Sequence, residues 1–278
     1  MKLGMINGWD EASIKNVSDF GLWGVEFCIN HNYDSAEVLA KEAEIRRNLE
    51  KYGVHCGSIG RWGETRVDDD GKVVPAALQH DHNIIDLAAA LSCPVVNVGM
   101  NRAKNITMLD NYKIAAEYFA GLLDYAKARG IKLATYNCDW GNIVYDDSAW
   151  SVVHNQLPEL GIKYDASHSI HRHFGHGEEY LREMRDWGDR FYHVHVKGTT
   201  YAGGVCYYDP PAGLDDIRWG AWFNMLYVHG YDGMLSIEPH SQPWSGKLGQ
   251  WGVQFTINFL KPFIMPENFD GPSKTYMP

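Results

Sequence analysis

The sequence predicts an α/β protein: a single-domain (β/α)8 TIM barrel. Short apolar runs alternate with longer amphipathic stretches eight times along the 278 residues, a pattern that implies a parallel sheet flanked by helices. Eight such units in about 250 residues is the usual size of a closed barrel. The rival, a doubly wound open sheet, would show a glycine-rich phosphate loop after its first strand; here the first strand runs into NGWDE, with neither GxGxxG nor GxxxxGK[ST].

Each unit can be read in turn. KLGMI (2–6) is a strand, followed by a helix near 11–19. WGVEFC (23–28) is the second strand, and DSAEVLAKEAEIRRNLEKYG reads as one strongly amphipathic helix, with Val38, Leu39, Ala43, Ile45 and Leu49 on its apolar face and Gly53 as C-cap. VHCGSIG (54–60), HNIIDLAAALSC and PVVNVGM (94–100) supply strand, helix and strand. YKIAAEYFAGLLDYAKARG is the fourth helix, also closed by a glycine, and IKLATYNC (131–138) the fifth strand. SAWSVVHNQLPELG covers the next helix and its exit turn, IKYDAS is strand six, and GEEYLREMRDWGD is helix six. FYHVHVKG (191–198), DDIRWGAWFNMLYVHG, DGMLSIEPH (232–240) and KLGQWGVQFTINFLKPFI complete units seven and eight. The barrel is expected over 1–265, and the tail 266–278 as an extended strap or a poorly ordered segment.

Composition narrows the function. Lys and Arg total 25 against 35 Asp and Glu, a formal net charge of −10 with no basic run. That is a poor basis for binding nucleic acid through phosphates, or an anionic membrane surface. Cys28, Cys56, Cys93, Cys138 and Cys206 are odd in number, widely spaced and without a CxxC pair, so neither a disulfide framework nor a thiolate zinc site is expected. The polar N-terminus lacks an apolar leader, and no run is long enough to span a bilayer. A cytoplasmic protein is expected, with pairing of barrel faces into a homo-oligomer as an open possibility.

Barrel active sites form where strands end. Strand five ends Tyr136-Asn137-Cys138-Asp139, strand six Asp165-Ala166-Ser167-His168, strand seven carries His193, His195 and Lys197 on one face, and strand eight ends Glu238-Pro239-His240. A carboxylate, an imidazole and a second carboxylate from consecutive strands can converge on one point. Such an O/N set suits a divalent cation, Mn²⁺, Mg²⁺, Co²⁺ or Zn²⁺. Plainer readings compete: Asp165 as a helix cap, and His193 or His195 as a buried, hydrogen-bonded histidine. Three adjacent strands offering ligand-type residues at matching ends weigh against coincidence. His171, His173 and His176 lie beyond the strand end and read as solvated or substrate-rim residues.

In order and spacing, several segments together resemble the xylose isomerase-like barrel superfamily, in particular its sugar phosphate isomerase/epimerase members. YDASHSIH resembles that family's D-P-S-H segment, GDRFYHVHVKGT its H-V-H-A-K-D-T strand, GYDGMLSIEPHSQPW its G-Y-D-G-x-I-S-I-E-H-E-D-P segment, and LAAALSCPVVNVG its strand-four entry. The resemblance spans nearly all eight units. It implies one divalent metal, Mn²⁺ foremost, held by Asp165, His195 and Glu238. A fourth ligand, a strand-five glutamate, has no counterpart: Tyr136 stands in its place, or Asn137 if the alignment slides by one.

The resemblance further implies proton removal beside a carbonyl through a metal-stabilised enediolate, on a keto or aldo sugar or related polyol. Glu238 is the expected base. Lys197 would stabilise negative charge on a substrate oxygen, and His168 would orient a hydroxyl or shuttle a proton. Tyr136, His240, Trp62 and Trp244 are expected to contact substrate. One base with one acid also suits β-elimination, so a lyase of the same fold, a keto-inositol dehydratase or keto-glycoside eliminase, is the alternative. A non-catalytic sugar-binding barrel, its aromatics (Trp62, Trp140, Trp219 and Trp244 among them) forming a platform, is a second. Core packing is the plainer reading of Trp219. The superfamily's DNA-repair branch is disfavoured by charge and by missing ligands.

Overall fold

The structure is a computed structural model that describes residues 1–238 and 241–266. Eight parallel strands close into a barrel: β1 (Lys2–Ile6), β2 (Gly24–Cys28), β3 (His55–Gly60), β4 (Val95–Val98), β5 (Lys132–Tyr136), β6 (Gly161–Tyr164), β7 (Phe191–Val196) and, after a two-stranded hairpin of β8 (Thr200–Ala202) and β9 (Val205–Tyr208), β10 (Met234–Ile237). β10 pairs with both β7 and β1, which closes the ring. The expected (β/α)8 architecture is therefore present, with the helices packed outside.

Local signals set the helices. Asp10 caps α1 (Glu11–Asp19) by accepting from the Ser13 amide. The predicted helix over 34–53 is in fact two, α2 (Ser35–Leu39) and α3 (Glu42–Tyr52); the chain tightens between them, Lys41 N–H bonding the Val38 carbonyl. Gly53 ends α3 at φ 63°, the left-handed conformation a C-cap glycine adopts at little cost. α4 (Pro75–Ala90) starts seven residues before the expected His82, with Pro75 in the first turn. Its polar opening hides an interior pair, Asp81 bridging Arg66 at 2.8 Å. α5 (Met108–Lys127) and α6 (Asp147–Gln156) follow expectation closely. An unpredicted short helix, α7 (Ala166–Arg172), follows β6 directly, and the hairpin was not expected. α8 (Glu179–Trp187), α9 (Trp219–Val228) and α10 (Gly246–Leu260) complete the ring. Trp219 is buried in the core, as its plainer reading held.

The barrel interior is unusually polar. At its floor, Met234 fills space that glycines leave open: a Cβ on Gly4 or Gly57 would lie 2.3 Å from the Met234 sulfur. Above it, where barrels commonly stack branched aliphatics, lie Glu26, Ser58, Asn97, Lys163, His193 and Ser236, all buried. Asn97 Nδ2 donates to Ser58 Oγ at 2.5 Å across β3 and β4. Apart from Pro266, the tail expected at 266–278 lies outside the described residues, as does His240.

Candidate active site

Asp165 ends β6 and begins α7, and its two carboxylate oxygens do different work. Oδ1 caps the helix, accepting from the Ser167 amide at 2.9 Å and the Ser167 hydroxyl at 2.7 Å. Oδ2 is buried and has no hydrogen-bond partner. Lys197 Nζ, His168 Nε2 and His195 Nδ1 surround it at 3.4, 3.6 and 3.9 Å. The capping reading and the ligand reading are thus both compatible with this side chain, one oxygen for each. The Asn137 side chain is committed elsewhere: it clamps the Asp165 backbone, accepting from its amide at 2.9 Å and donating to its carbonyl at 2.8 Å.

His195 projects from β7 beside Asp165 and Glu238. Its Nδ1 lies 2.5 Å from Glu238 Oε2 and its Nε2 lies 2.8 Å from Glu26 Oε2. The same Glu26 oxygen also meets His193 Nε2 at 2.6 Å. His193 therefore fits the plainer reading, a buried and hydrogen-bonded histidine. One ligand atom from each of Asp165, His195 and Glu238 falls within 4.8 Å of the others, and so does one from each of Glu26, His193 and His195. Lys197 Nζ approaches Asp165 Oδ2 at 3.4 Å and Glu238 Oε1 at 3.5 Å, so an ammonium shares the two carboxylates.

Burial and charge oppose each other here. Burial favours neutral Asp165 and Glu26, yet Lys197 holds Asp165 well below the usual carboxylate range, and His195 and His193 do the same for Glu26. Burial also penalises imidazolium, but the Glu26 and Glu238 carboxylates together outweigh it at His195, whose pKa is raised. At His168 burial and the nearby Lys197 ammonium act together and depress the pKa strongly, keeping that ring neutral.

The cluster opens onto a cleft lined by Trp62, Trp140, Cys28, Cys138, Lys163, His168, His195 and Glu238. Four of the residues expected at the site, Trp62, His168, His195 and Glu238, lie together on this cleft. Glu26 and Lys163 were not among the expected residues; each is an ionisable residue inside a short barrel strand, which is the signal that marks them. Lys163 is 1% exposed, and its Nζ lies 5.7 Å from the centre of the Trp62 ring.

Two expected substrate contacts, Tyr136 and Trp244, do not line this cleft. Tyr136 is wholly buried, its ring 5.3 Å from that of Trp62 and its hydroxyl donating to the Trp140 carbonyl at 3.3 Å. Only a glycine at 99 leaves room for it, since a Cβ there would lie 2.4 Å from the phenol oxygen. Trp244 borders a separate, water-sized cavity that reaches Lys197 and Glu238 from the other side.

Comparison with known proteins agrees with this architecture. The sequence profile of the xylose isomerase-like TIM barrel family matches residues 14–258. No curated protein sequence matches the chain. Among solved structures, a xylose isomerase domain protein from Planctomyces limnophilus is similar at 16% identity and TM-score 0.71, covering 95% of this chain and 98% of that one. A D-psicose 3-epimerase with D-tagatose, from Clostridium cellulolyticum H10, is similar at 13% identity and TM-score 0.74, with 95% and 99% covered. A 3-keto-D-glucoside 4-epimerase from E. coli aligns at 15% identity and TM-score 0.68, with 94% and 99% covered. At these identities the likeness is one of fold.

Proposed function

We propose that this chain, which belongs to the xylose isomerase-like TIM barrel family, is a metal-dependent isomerase or epimerase of a keto or aldo sugar or a related polyol. The observation that carries the reading is the buried Oδ2 of Asp165, which accepts no hydrogen bond, grouped with His195 and Glu238 beside a tryptophan-flanked cleft. Two carboxylates and an imidazole are donors suited to a divalent cation such as Mn²⁺. Glu26 supports the fit: with Nε2 of His195 facing its carboxylate, Nδ1 is the nitrogen left for a cation, the arrangement by which outer carboxylates commonly orient metal-binding histidines.

A divalent cation held by Asp165, His195 and Glu238 would polarise a carbonyl and lower the cost of charge developing beside it. The chain's own groups would do the rest. Glu238 takes the proton from the carbon next to the carbonyl, leaving an enediolate. The ammonium groups of Lys197 and Lys163 face developing negative charge on substrate oxygens, and neutral His168 is available to relay a proton between them. Trp62 and Trp140 offer apolar surface to a sugar ring, and burial of the floor keeps these charges in a setting where they act strongly.

A lyase reading is supported by the cleft's make-up. Among its described lining residues Glu238 supplies the carboxylate and Lys163 an acid, a pairing suited to removing a proton and expelling a hydroxyl group. Incubating Mn²⁺-loaded protein with a panel of keto and aldo sugars in heavy water tests the proposal. Deuterium should enter the carbon beside the carbonyl, and E238Q should not catalyse this; loss of water from the sugar would mark the lyase. Sugar binding without exchange or elimination would leave a binding protein in its place.

A further inference from the structure

Outside the cleft, a second group of ligand-type side chains joins two segments that have no part in the mechanism above. His171 lies on α7, Cys206 on β9, and Asp209 just after the hairpin, each offering one ligand atom within 4.8 Å of the others. His171 Nε2 lies 3.1 Å from Asp209 Oδ1 and 3.3 Å from Oδ2, while its Nδ1 lies 2.8 Å from the Tyr201 hydroxyl on β8. The Tyr201 hydroxyl can donate to Nδ1 while Nε2–H faces the carboxylate, so the ring is held pointing at Asp209. Asp209 Oδ1 is itself buried and makes no hydrogen bond. The imidazole Nε2, the sulfur and the carboxylate oxygen thus lie close together, with the buried carboxylate Oδ1 lacking a hydrogen bond.

We propose that His171, Cys206 and Asp209 form a second divalent-cation site, of zinc type, that clasps the β8–β9 hairpin to the helix following β6. A thiolate, an imidazole and a carboxylate on one tetrahedral ion is a ligand set zinc accepts, and the thiolate disfavours Mg²⁺ or Ca²⁺. Binding requires Cys206 to release its proton to solvent as the sulfur–metal bond forms; no electron moves. Three protein ligands leave a fourth place for water. Asp209 also borders the cavity that reaches Lys197 and Glu238, so the clasp adjoins the candidate active site and fixes one wall of it.

Cobalt substitution reads this site by itself, because the cluster of Asp165, His195 and Glu238 contains no sulfur. Apo-protein loaded with Co²⁺ should show the near-ultraviolet thiolate-to-cobalt charge-transfer absorption, and about one equivalent of Zn²⁺ per chain should abolish it. C206S should lose the band and at least tenfold in Zn²⁺ affinity, and H171Q should weaken both; D165A should keep the band. Retained circular dichroism in C206S shows that the fold is intact, and the wild-type spectrum with zinc competition is decisive even if that variant misfolds. A wild-type protein without the band, or a band that persists in C206S, overturns the proposal.

Discussion

Oε2 of Glu26 meets Nε2 of His195 at 2.8 Å, in the middle of a barrel strand where an apolar side chain would be expected. The carboxylate is wholly buried and has no role in lining the cleft; it fixes which imidazole nitrogen faces Asp165 and Glu238. E26Q keeps the shape but removes the charge that orients and strengthens the ligand. Cation affinity should fall by about 10- to 100-fold, the usual cost of losing such an outer partner, as read by calorimetric titration with Mn²⁺.

E238Q should leave the fold intact and reduce turnover by about 10²- to 10⁴-fold, the contribution of a positioned general base. Steady-state rates on the substrate identified by deuterium exchange check this. Near-normal turnover would move the proton transfer to His168.

Lys197 should limit metal affinity. Its ammonium lies 3.4 Å from Asp165 Oδ2, so an incoming cation meets a like charge at close range. Such a repulsion is worth on the order of 1–4 kcal/mol at about 4 Å. K197M should therefore bind Mn²⁺ at least tenfold more tightly while turnover falls, because the charge facing the substrate oxygen is gone. Opposite movements of affinity and rate are the expected signature; a parallel loss of both would show that Lys197 only holds the cluster together.

His154 should make the protein acid-sensitive. It lies behind β5, hydrogen-bonded to Thr135 Oγ1 at 2.9 Å and to the Leu160 carbonyl at 3.1 Å, and burial drops its pKa to about 3. Unfolded, it titrates near 6.5, so between those values the unfolded chain binds the extra proton. The stability contributed by neutral His154 is complete above about pH 6.5 and is lost as pH falls toward 3. Asp215, pushed up to about 7 by burial, slopes the other way in part of the same window. The comparison is therefore between wild type and H154N: the melting temperature of the variant should change less from pH 7 to pH 4. Parallel curves would contradict the assignment.

The barrel was legible because alternation of apolar runs with amphipathic stretches survives in every unit, and Asp165, His195 and Glu238 were legible because they recur at matching strand ends. What escaped had a physical reason. Ala166–Arg172 reads as a polar, histidine-rich loop, yet Asp165 caps it into a helix. Glu26 and Lys163 each sit singly in short strands, and nothing local shows that one bonds two histidines from a strand far away in sequence while the other reaches the cleft. Tyr136 does turn inward as its position required, but a phenol in a small barrel fills space, and the vacancy at Gly99 takes it. Asn137, the other candidate for the absent strand-five ligand, is occupied with the Asp165 backbone.

The central claim is that Asp165, His195 and Glu238 hold a divalent cation, and titration of metal-free protein with Mn²⁺ tests it most directly. Wild type should bind about one ion at this site, and D165A, folded by circular dichroism, should lose that binding by orders of magnitude while C206S keeps it. Equal Mn²⁺ binding by wild type and D165A, or none by either, would contradict the account.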